Sequence, residues 1–386
     1  MRNSMLRERV RRALYGDRFR LHRRYARAQL RRFLAYTSIY RCFTPAVPGW
    51  GVILMFHNIV GRAEREARPM SSVNAGLDVT PEYLEAIIRY CRRQGYEFFS
   101  LDDVYHALTS GERPSREFVC FTFDDGYLSN ALHAYPIFKK HRVPFTIYVA
   151  TGLLAESGII WWYALEDLLA RNAAVSFRLG AEQYEFVAGS EAEKIAAFLA
   201  IKRVVQNMDQ QRLRPFLSDL FQRYGVDTTQ YVRRYMLRWE QVRQLSEDRL
   251  VTIAAHTVTH PCLSRLSDED VVRELQGSKQ ALESCTGKPV LHLAYPYGDH
   301  GTVGPREYSL AAQCGFRTAT TTEPGTIHDY HGARLTALPR VAVTGREEKL
   351  AYFKLAVSGV ERALFGRLRP RPVNDPREAG MVVAKR

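Results

Sequence analysis

Two adjacent carboxylates at the end of an apolar run constrain this chain more than any other feature. Phe118-Val119-Cys120-Phe121 reads as a buried strand, and Thr122-Phe123-Asp124-Asp125-Gly126 follows it directly. Neighbouring carboxylates repel one another, so a chain rarely sets such a pair at a strand end without a cation to offset the charge. A second strand-like run, Leu250-Val251-Thr252-Ile253-Ala254, leads into His256-Thr257-Val258-Thr259-His260. One carboxylate and two imidazoles make three protein ligands and leave a coordination position open, the arrangement of a catalytic rather than a structural zinc. Asp-Asp-Gly alone is common in turns, and His-x-x-x-His alone is not a full ligand set. Each at a strand end, the two reinforce one another. A third run, Leu293-Ala294, breaks into Tyr295-Pro296-Tyr297-Gly298.

The rest of the chain alternates strand-like and helical stretches. Val52-Ile53-Leu54-Met55-Phe56 ends at His57 and reads as a first strand. Pro81 to Arg93 places Tyr83, Leu84, Ile87, Ile88 and Cys91 on one helical side. Tyr96–Phe99 and Phe145–Val149 read as strands, and Leu128–Lys140 as a helix between them. Helices are expected near 268–285 and 306–314, and strands near 290–294 and 316–320. This alternation implies an α/β fold with a parallel sheet. Residues at C-terminal strand ends are where barrel enzymes carry their sites.

The alternation is interrupted by an insertion at about 161–244. It is expected to be mainly helical, with helices at Glu191–Asn207 and Gln211–Tyr224 and a small strand pair near 175–179 and 183–187. It reads either as a flap packed on the flank of the sheet or as a lid or ligand-contacting wall with Trp161, Trp162 and Trp239 as stacking platforms. Tryptophan is more often packed than ligand-facing, so the flap is the expectation.

The first two motifs resemble those of the polysaccharide deacetylases of carbohydrate esterase family four, the nodulation-deacetylase homology domain. Thr-Phe-Asp-Asp-Gly is matched in full at 122–126 and His-Ser/Thr-x-x-His in full at 256–260. The resemblance covers about residues 50 to 345. It implies a distorted (β/α) barrel, typically seven-stranded, and metal-dependent removal of an N-acetyl group from a saccharide. Carried over by motif, Asp125, His256 and His260 are the metal ligands and Asp124 is the general base. Tyr297 supplies a backbone N–H to the oxyanion. Zinc is the default for this donor set, and cobalt or nickel suits similar geometry.

The chain departs from the family in two places. The third motif usually reads Arg-x-Pro-Tyr, and Ala294 stands at the Arg position. A late Leu-x-His usually supplies the general acid, but the corresponding stretch is Ala337-Leu338-Pro339-Arg340-Val341. One family branch lacks the late His and carries one early, which makes His57 the candidate acid. Arg340 is the candidate to orient Asp124 in place of the missing Arg. His328 and His331 sit in a Gly- and Asp-bearing loop and are expected at the surface. The ligand triad does not separate N-acetyl removal from removal of a formyl or O-acetyl group on a lipid-linked sugar. Retention of both Asp and both His residues argues against a catalytically silent saccharide-binding protein.

Charge sits at the ends of the chain. The formal net charge is +14, yet residues 1–41 hold thirteen Arg against Glu8 and Asp17, and 367–386 hold six basic residues against two acidic. The body from 46 to 366 is expected to be the barrel and is near neutral, so it offers no basic face to nucleic acid. The arm at 1–45 also carries Leu6, Val10, Leu14 and Leu21 at helical spacing. A basic amphipathic helix of this kind suits an anionic membrane surface, and the equal alternative is a solvated arm. The tail at 367–386 is expected to be disordered. No run is long enough to span a bilayer, and no secretory signal is recognisable. The six cysteines are scattered, with no Cys-x-x-Cys, and read as reduced thiols of a cytoplasmic chain. A peripheral position at the inner face of the membrane follows from the arm.

Overall fold

Short apolar segments flanked by helices must bury both faces, and eight of them form one parallel sheet in the computed structural model. They are β1 (Gly51–Phe56), β2 (Glu97–Phe99), β3 (Phe118–Phe123), β4 (Phe145–Val149), β5 (Val251–Ala255), β6 (His292–Ala294), β7 (Thr318–Pro324) and β8 (Leu338–Ala342). The structure describes residues 29–37, 39–42, 49–67, 70–360 and 364. The expected tail at 367–386, and the arm up to residue 28, lie outside the described residues.

Seven strands close into a barrel in the order β1, β8, β7, β6, β5, β4, β3, with β3 returning to β1. This is the seven-stranded (β/α) architecture expected. The eighth, β2, stays outside the ring and pairs with the first half of β3, Phe99 opposite Cys120. The closing seam is the longest in the barrel: β1 and β3 stay in register from Gly51–Phe118 to Phe56–Phe123. Gly51 permits that approach, since a Cβ there would sit 2.4 Å from the Phe118 ring. Every residue of β1, β3 and β4 is buried, as strands covered on both faces require. Ile53, Cys120, Tyr148, Ala254, Ala294 and Leu338 belong to one buried cluster drawn from six of the strands.

The helices follow their local signals. Pro81–Arg93 starts with Thr80, whose hydroxyl accepts from the Tyr83 N–H, and buries the expected apolar side together with Tyr90. Leu101–Ser110 opens on a Ser100/Asp103 capping box and stops at left-handed Gly111. The expected helix over 128–140 forms, but with a π-turn at Asn130–Ala134 ahead of Tyr135–His141. Pro136 has no N–H to give, which favours the irregular turn there. Between β4 and β5 lie Trp161–Arg171, the hairpin Ala174–Leu179/Glu182–Val187, Glu191–Asn207, Gln210–Arg223, Thr229–Tyr235 and Trp239–Glu247.

A second, small unit holds the helical residues 29–37 and the helix Leu350–Val357. Its core is Leu34, Ala35, Tyr40, Leu355 and Val360. Among the described residues no helix is long and apolar enough to cross a membrane, and all six cysteines are free.

Candidate active site

The site forms where β3, β5 and β6 end. Along a strand, neighbouring side chains point to opposite faces, so Asp124 and Asp125 could not share one cleft if the strand continued. Asp124 keeps the ladder, its N–H donating to the Phe56 carbonyl at 2.9 Å. Asp125 then turns left-handed at φ 74° and Gly126 at φ 81°, and both carboxylates come to line the same cleft. The Asp124 carboxylate is held by a two-pronged bond from Arg340, Nη1 to Oδ1 at 2.6 Å and Nη2 to Oδ2 at 2.7 Å. Arg340 is fully buried. It is itself fixed by Nε donating to the Thr321 carbonyl (2.9 Å) and Nη1 to the Thr122 hydroxyl (3.2 Å). Burial pushes the Asp124 carboxyl up, but the Arg340 guanidinium outweighs it and holds the group below the usual carboxylate range.

The histidine loop is shaped by a residue the sequence did not single out. Glu274, from the helix Asp268–Thr286, accepts from the N–H groups of Val258 (2.7 Å) and Thr259 (2.8 Å) and from the Thr259 hydroxyl (2.7 Å). The loop is tight: Thr257 has φ 64° and His260 φ 58°, and the His260 N–H donates to the Thr257 hydroxyl. As a result both Nε2 atoms, of His256 and His260, stand 3.3 Å from one oxygen, Asp125 Oδ1. The His256 Nδ1 can only donate to its partner, the Ala294 carbonyl at 2.8 Å. Its Nε2 lone pair is therefore directed at the cluster.

These atoms fit a metal ion. Ligand atoms of Asp125, His256 and His260 all lie within 4.8 Å of one another. Asp125 Oδ1 is buried and, among the described residues, accepts no hydrogen bond in spite of its two imidazole neighbours. A buried acceptor without a donor is expensive, and a cation at the convergence of three ligand atoms would satisfy it. Burial pushes the Asp125 carboxyl up, but the imidazoles outweigh it and hold it well below the usual range. Burial lowers His256, but the carboxylates, Asp125 foremost, outweigh it and raise its affinity for a proton. The same negative potential favours a metal cation.

The other expected site residues converge here as well. His57 follows β1 directly and lines the cleft, and its carbonyl accepts from Asn130 Nδ2 at 2.8 Å. Burial lowers its pKa, with Arg340 and His256 adding and the two Asp carboxylates opposing. Tyr297 sits at φ 61° beyond β6, its ring edge-on to His260 at 5.0 Å. Among the described residues its N–H has no acceptor. Trp161 and Trp162 are packed, at 5% and 6% exposure, yet both line the cleft, and Trp162 lies 5.4 Å from the His260 ring. Trp239 is not part of the lining. His331 is buried, not at the surface; its Nδ1 accepts from the His328 N–H, and it is not part of the cleft lining. The cleft encloses about 280 Å³. It also takes in Asn74, Lys202 and Arg346, which no motif marked because each comes from a different distant element.

Comparison with known proteins bears on the family and the fold. Residues 111–181 and 202–319 match the polysaccharide deacetylase family model. YxkH of Bacillus subtilis (strain 168), itself classed among the polysaccharide deacetylases, is 34% identical over 292 residues, which is 76% of this chain and 71% of that one. Among solved structures, Streptococcus pyogenes deacetylase PplD, in complex with acetate, superposes with a TM-score of 0.52 at 21% identity. The match covers 80% of this chain and 97% of that one. IcaB from Ammonifex degensii superposes at 0.50 with 16% identity, over 81% and 98%. These two show the shared fold. With the closed seven-stranded barrel and its motif loops in place, the sequence match establishes that this chain belongs to the polysaccharide deacetylase family.

Proposed function

We propose that this protein is a metal-dependent hydrolase that removes the N-acetyl group from an amino sugar of a polysaccharide or its precursor. The observation that carries the reading is the convergence of Asp125, His256 and His260 on one point beside a second carboxylate, Asp124, locked by Arg340. Asp125, His256 and His260 would hold the ion, and two imidazoles with a carboxylate suit zinc, with cobalt or nickel in similar geometry. A bound divalent cation supplies Lewis acidity, acidifying water and polarising the acyl carbonyl.

The chain's own groups do the rest. Asp124 takes the proton from the attacking water, and the Arg340 fork keeps its carboxylate ionised and fixed for that task. The Tyr297 N–H donates to the acyl oxygen as negative charge builds there. Burial favours the neutral form of His57, so the proton that it passes to the leaving nitrogen is the one that the water gives up to Asp124. The water oxygen bonds to the acyl carbon, the carbon–nitrogen bond breaks, and acetate and the protonated amine leave. Trp161 and Trp162 wall the cleft and limit water.

The test is acetate release from N-acetylated oligosaccharides and lipid-linked saccharides by zinc-loaded wild type, Asp124→Asn and His57→Ala. Release that depends on metal and is lost in both variants supports the whole assignment. Loss in Asp124→Asn alone removes His57 from the acid role. No acetate from any substrate, with metal content verified, rejects N-deacetylation and turns the search to formyl and O-acetyl groups.

A further inference from the structure

The cleft holds more positive charge than the reaction needs. Of its two acids, Asp124 is committed to Arg340, and Asp125 belongs with His256 and His260 to the cluster that would hold the ion. Two further cations line the same cleft, Lys202 from the helix Glu191–Asn207 and Arg346 from the turn Gly345–Glu347. Among the described residues neither side chain has a hydrogen bond or an ion pair. Arg346 lies over Gly76, where a Cβ would come within 3.6 Å of its Nε. Burial holds the Lys202 ammonium below its ordinary value; Asp299 opposes this and Arg346 adds to it. Lys202 is half-buried and Arg346 exposed, and with no acceptor for either the cleft carries positive charge that no described protein group pairs with. An N-acetylhexosamine brings only hydroxyls and an amide, which leave that charge unmatched.

We propose that Lys202 and Arg346 form an anion subsite, and that the substrate is an acidic saccharide: an N-acetylated amino sugar with a carboxylate or phosphate ester on the same or the adjoining unit. The inference rests on the deacetylase reading above. An arginine fork donates two parallel hydrogen bonds to either anion, and a lysine adds a point charge. At about 280 Å³ the cleft is of small-ligand size, so the anion must lie within about one sugar unit of the acetamido group.

The experiment uses the full zinc-loaded chain and three probes: the neutral N-acetylglucosamine tetramer, the hyaluronan tetrasaccharide with its carboxylates, and N-acetylglucosamine 1-phosphate. Binding is followed by calorimetry at low and high salt, and acetate release in parallel. We expect at least one acidic probe to bind roughly tenfold or more tightly than the neutral one, with the preference shrinking in high salt. Lys202→Met and Arg346→Gln should each cut that preference roughly tenfold, through KM rather than kcat. Arg346→Lys should restore part of it, which separates a binding role from misfolding. Whether the carboxylate or the phosphate is preferred identifies the source of the anion. Equal binding of all three probes, or a preference that survives both substitutions, overturns the subsite. Selective binding of an acidic probe without acetate release retains the subsite and rejects the deacetylase reading. Equal deacetylation of neutral and acidic probes does the reverse.

Discussion

Replacing Arg340 by Met tests the innermost part of the site. The guanidinium is fully buried and makes four hydrogen bonds, two to Asp124, one to the Thr321 carbonyl and one to the Thr122 hydroxyl. Methionine fills much of the same volume but leaves the Asp124 carboxylate, only 2% exposed, without its partner. Breaking one side of a buried ion pair costs about 3–5 kcal/mol, and the orphaned Thr321 carbonyl adds about 1 kcal/mol. The pH dependence has a definite sign. In the wild type the Asp124 pKa is lowered, so its pairing contributes stability above the ordinary carboxylate value of about 3.9 and loses it as pH falls below that value. In the variant, burial acts without the guanidinium and raises the pKa. The penalty is then largest at neutral pH and fades on acidification as Asp124 takes up a proton. Denaturant melts of metal-free wild type, Arg340→Met and the double variant with Asp124→Asn, at neutral pH and in mild acid, measure this. The double variant should recover much of the loss at neutral pH. A loss under about 1 kcal/mol, a gap that does not narrow in acid, or a double variant no better than the single would refute a locked, ionised Asp124.

Zinc titration of chelator-treated protein should give about one tight equivalent per chain, and Asp125→Asn, His256→Gln and His260→Gln should each weaken it at least tenfold; unchanged affinity in any one removes that residue from the ligand set. Glu274→Gln removes the charge from three hydrogen bonds to the histidine loop; zinc affinity should fall about 10–100-fold, with about 1–3 kcal/mol lost in melts. Gly51→Ala places a methyl 2.4 Å from the Phe118 ring at the barrel's closing seam. It should lower stability by about 1–3 kcal/mol without changing zinc stoichiometry in whatever fraction folds.

The barrel and the ligand cluster were largely legible because their signals are local. Fully buried strands read as apolar runs, and the runs at 118–121, 250–254 and 293–294 each break into the turn that carries a site residue. What stayed hidden depends on contacts far apart in sequence. Nothing local tells that Glu97–Phe99 stands outside the ring while Gly51–Phe56 closes it. Glu274 looks like any helix-surface acid until the helix docks on the loop 257–260. Arg340 was marked only as a substitute for the Arg absent at position 294; its fork on Asp124, across 216 residues of sequence, needs the barrel to exist. His331 was misplaced because Gly and Asp neighbours suggest a surface loop, whereas it is buried and its Nδ1 accepts from the His328 N–H.

Backbone strain marks the site independently of any motif. Among the described residues, five that are not glycine have positive φ: Asp125, Thr257, His260, Tyr297 and Arg142. The first four lie in the three loops after β3, β5 and β6. A strand shows alternate side chains to opposite faces, so gathering three ligands at one point requires a sharp exit from the strand. Glycine would make that turn freely but brings no side chain. The strain, about 1–3 kcal/mol for each such residue, therefore falls on residues that must supply both the turn and a functional group. It persists only if the surroundings enforce it, and Glu274, Arg340 and the Thr322 hydroxyl on the Tyr297 carbonyl (2.6 Å) do so here. None of these braces involves a metal. The loop 256–260 should thus be ordered before an ion arrives, and the Val258 and Thr259 amides should be as protected from hydrogen exchange in chelator-treated protein as in the zinc-loaded form. Fast exchange that zinc abolishes would mean that the ion builds the loop, and the preorganisation argued from these braces would be wrong.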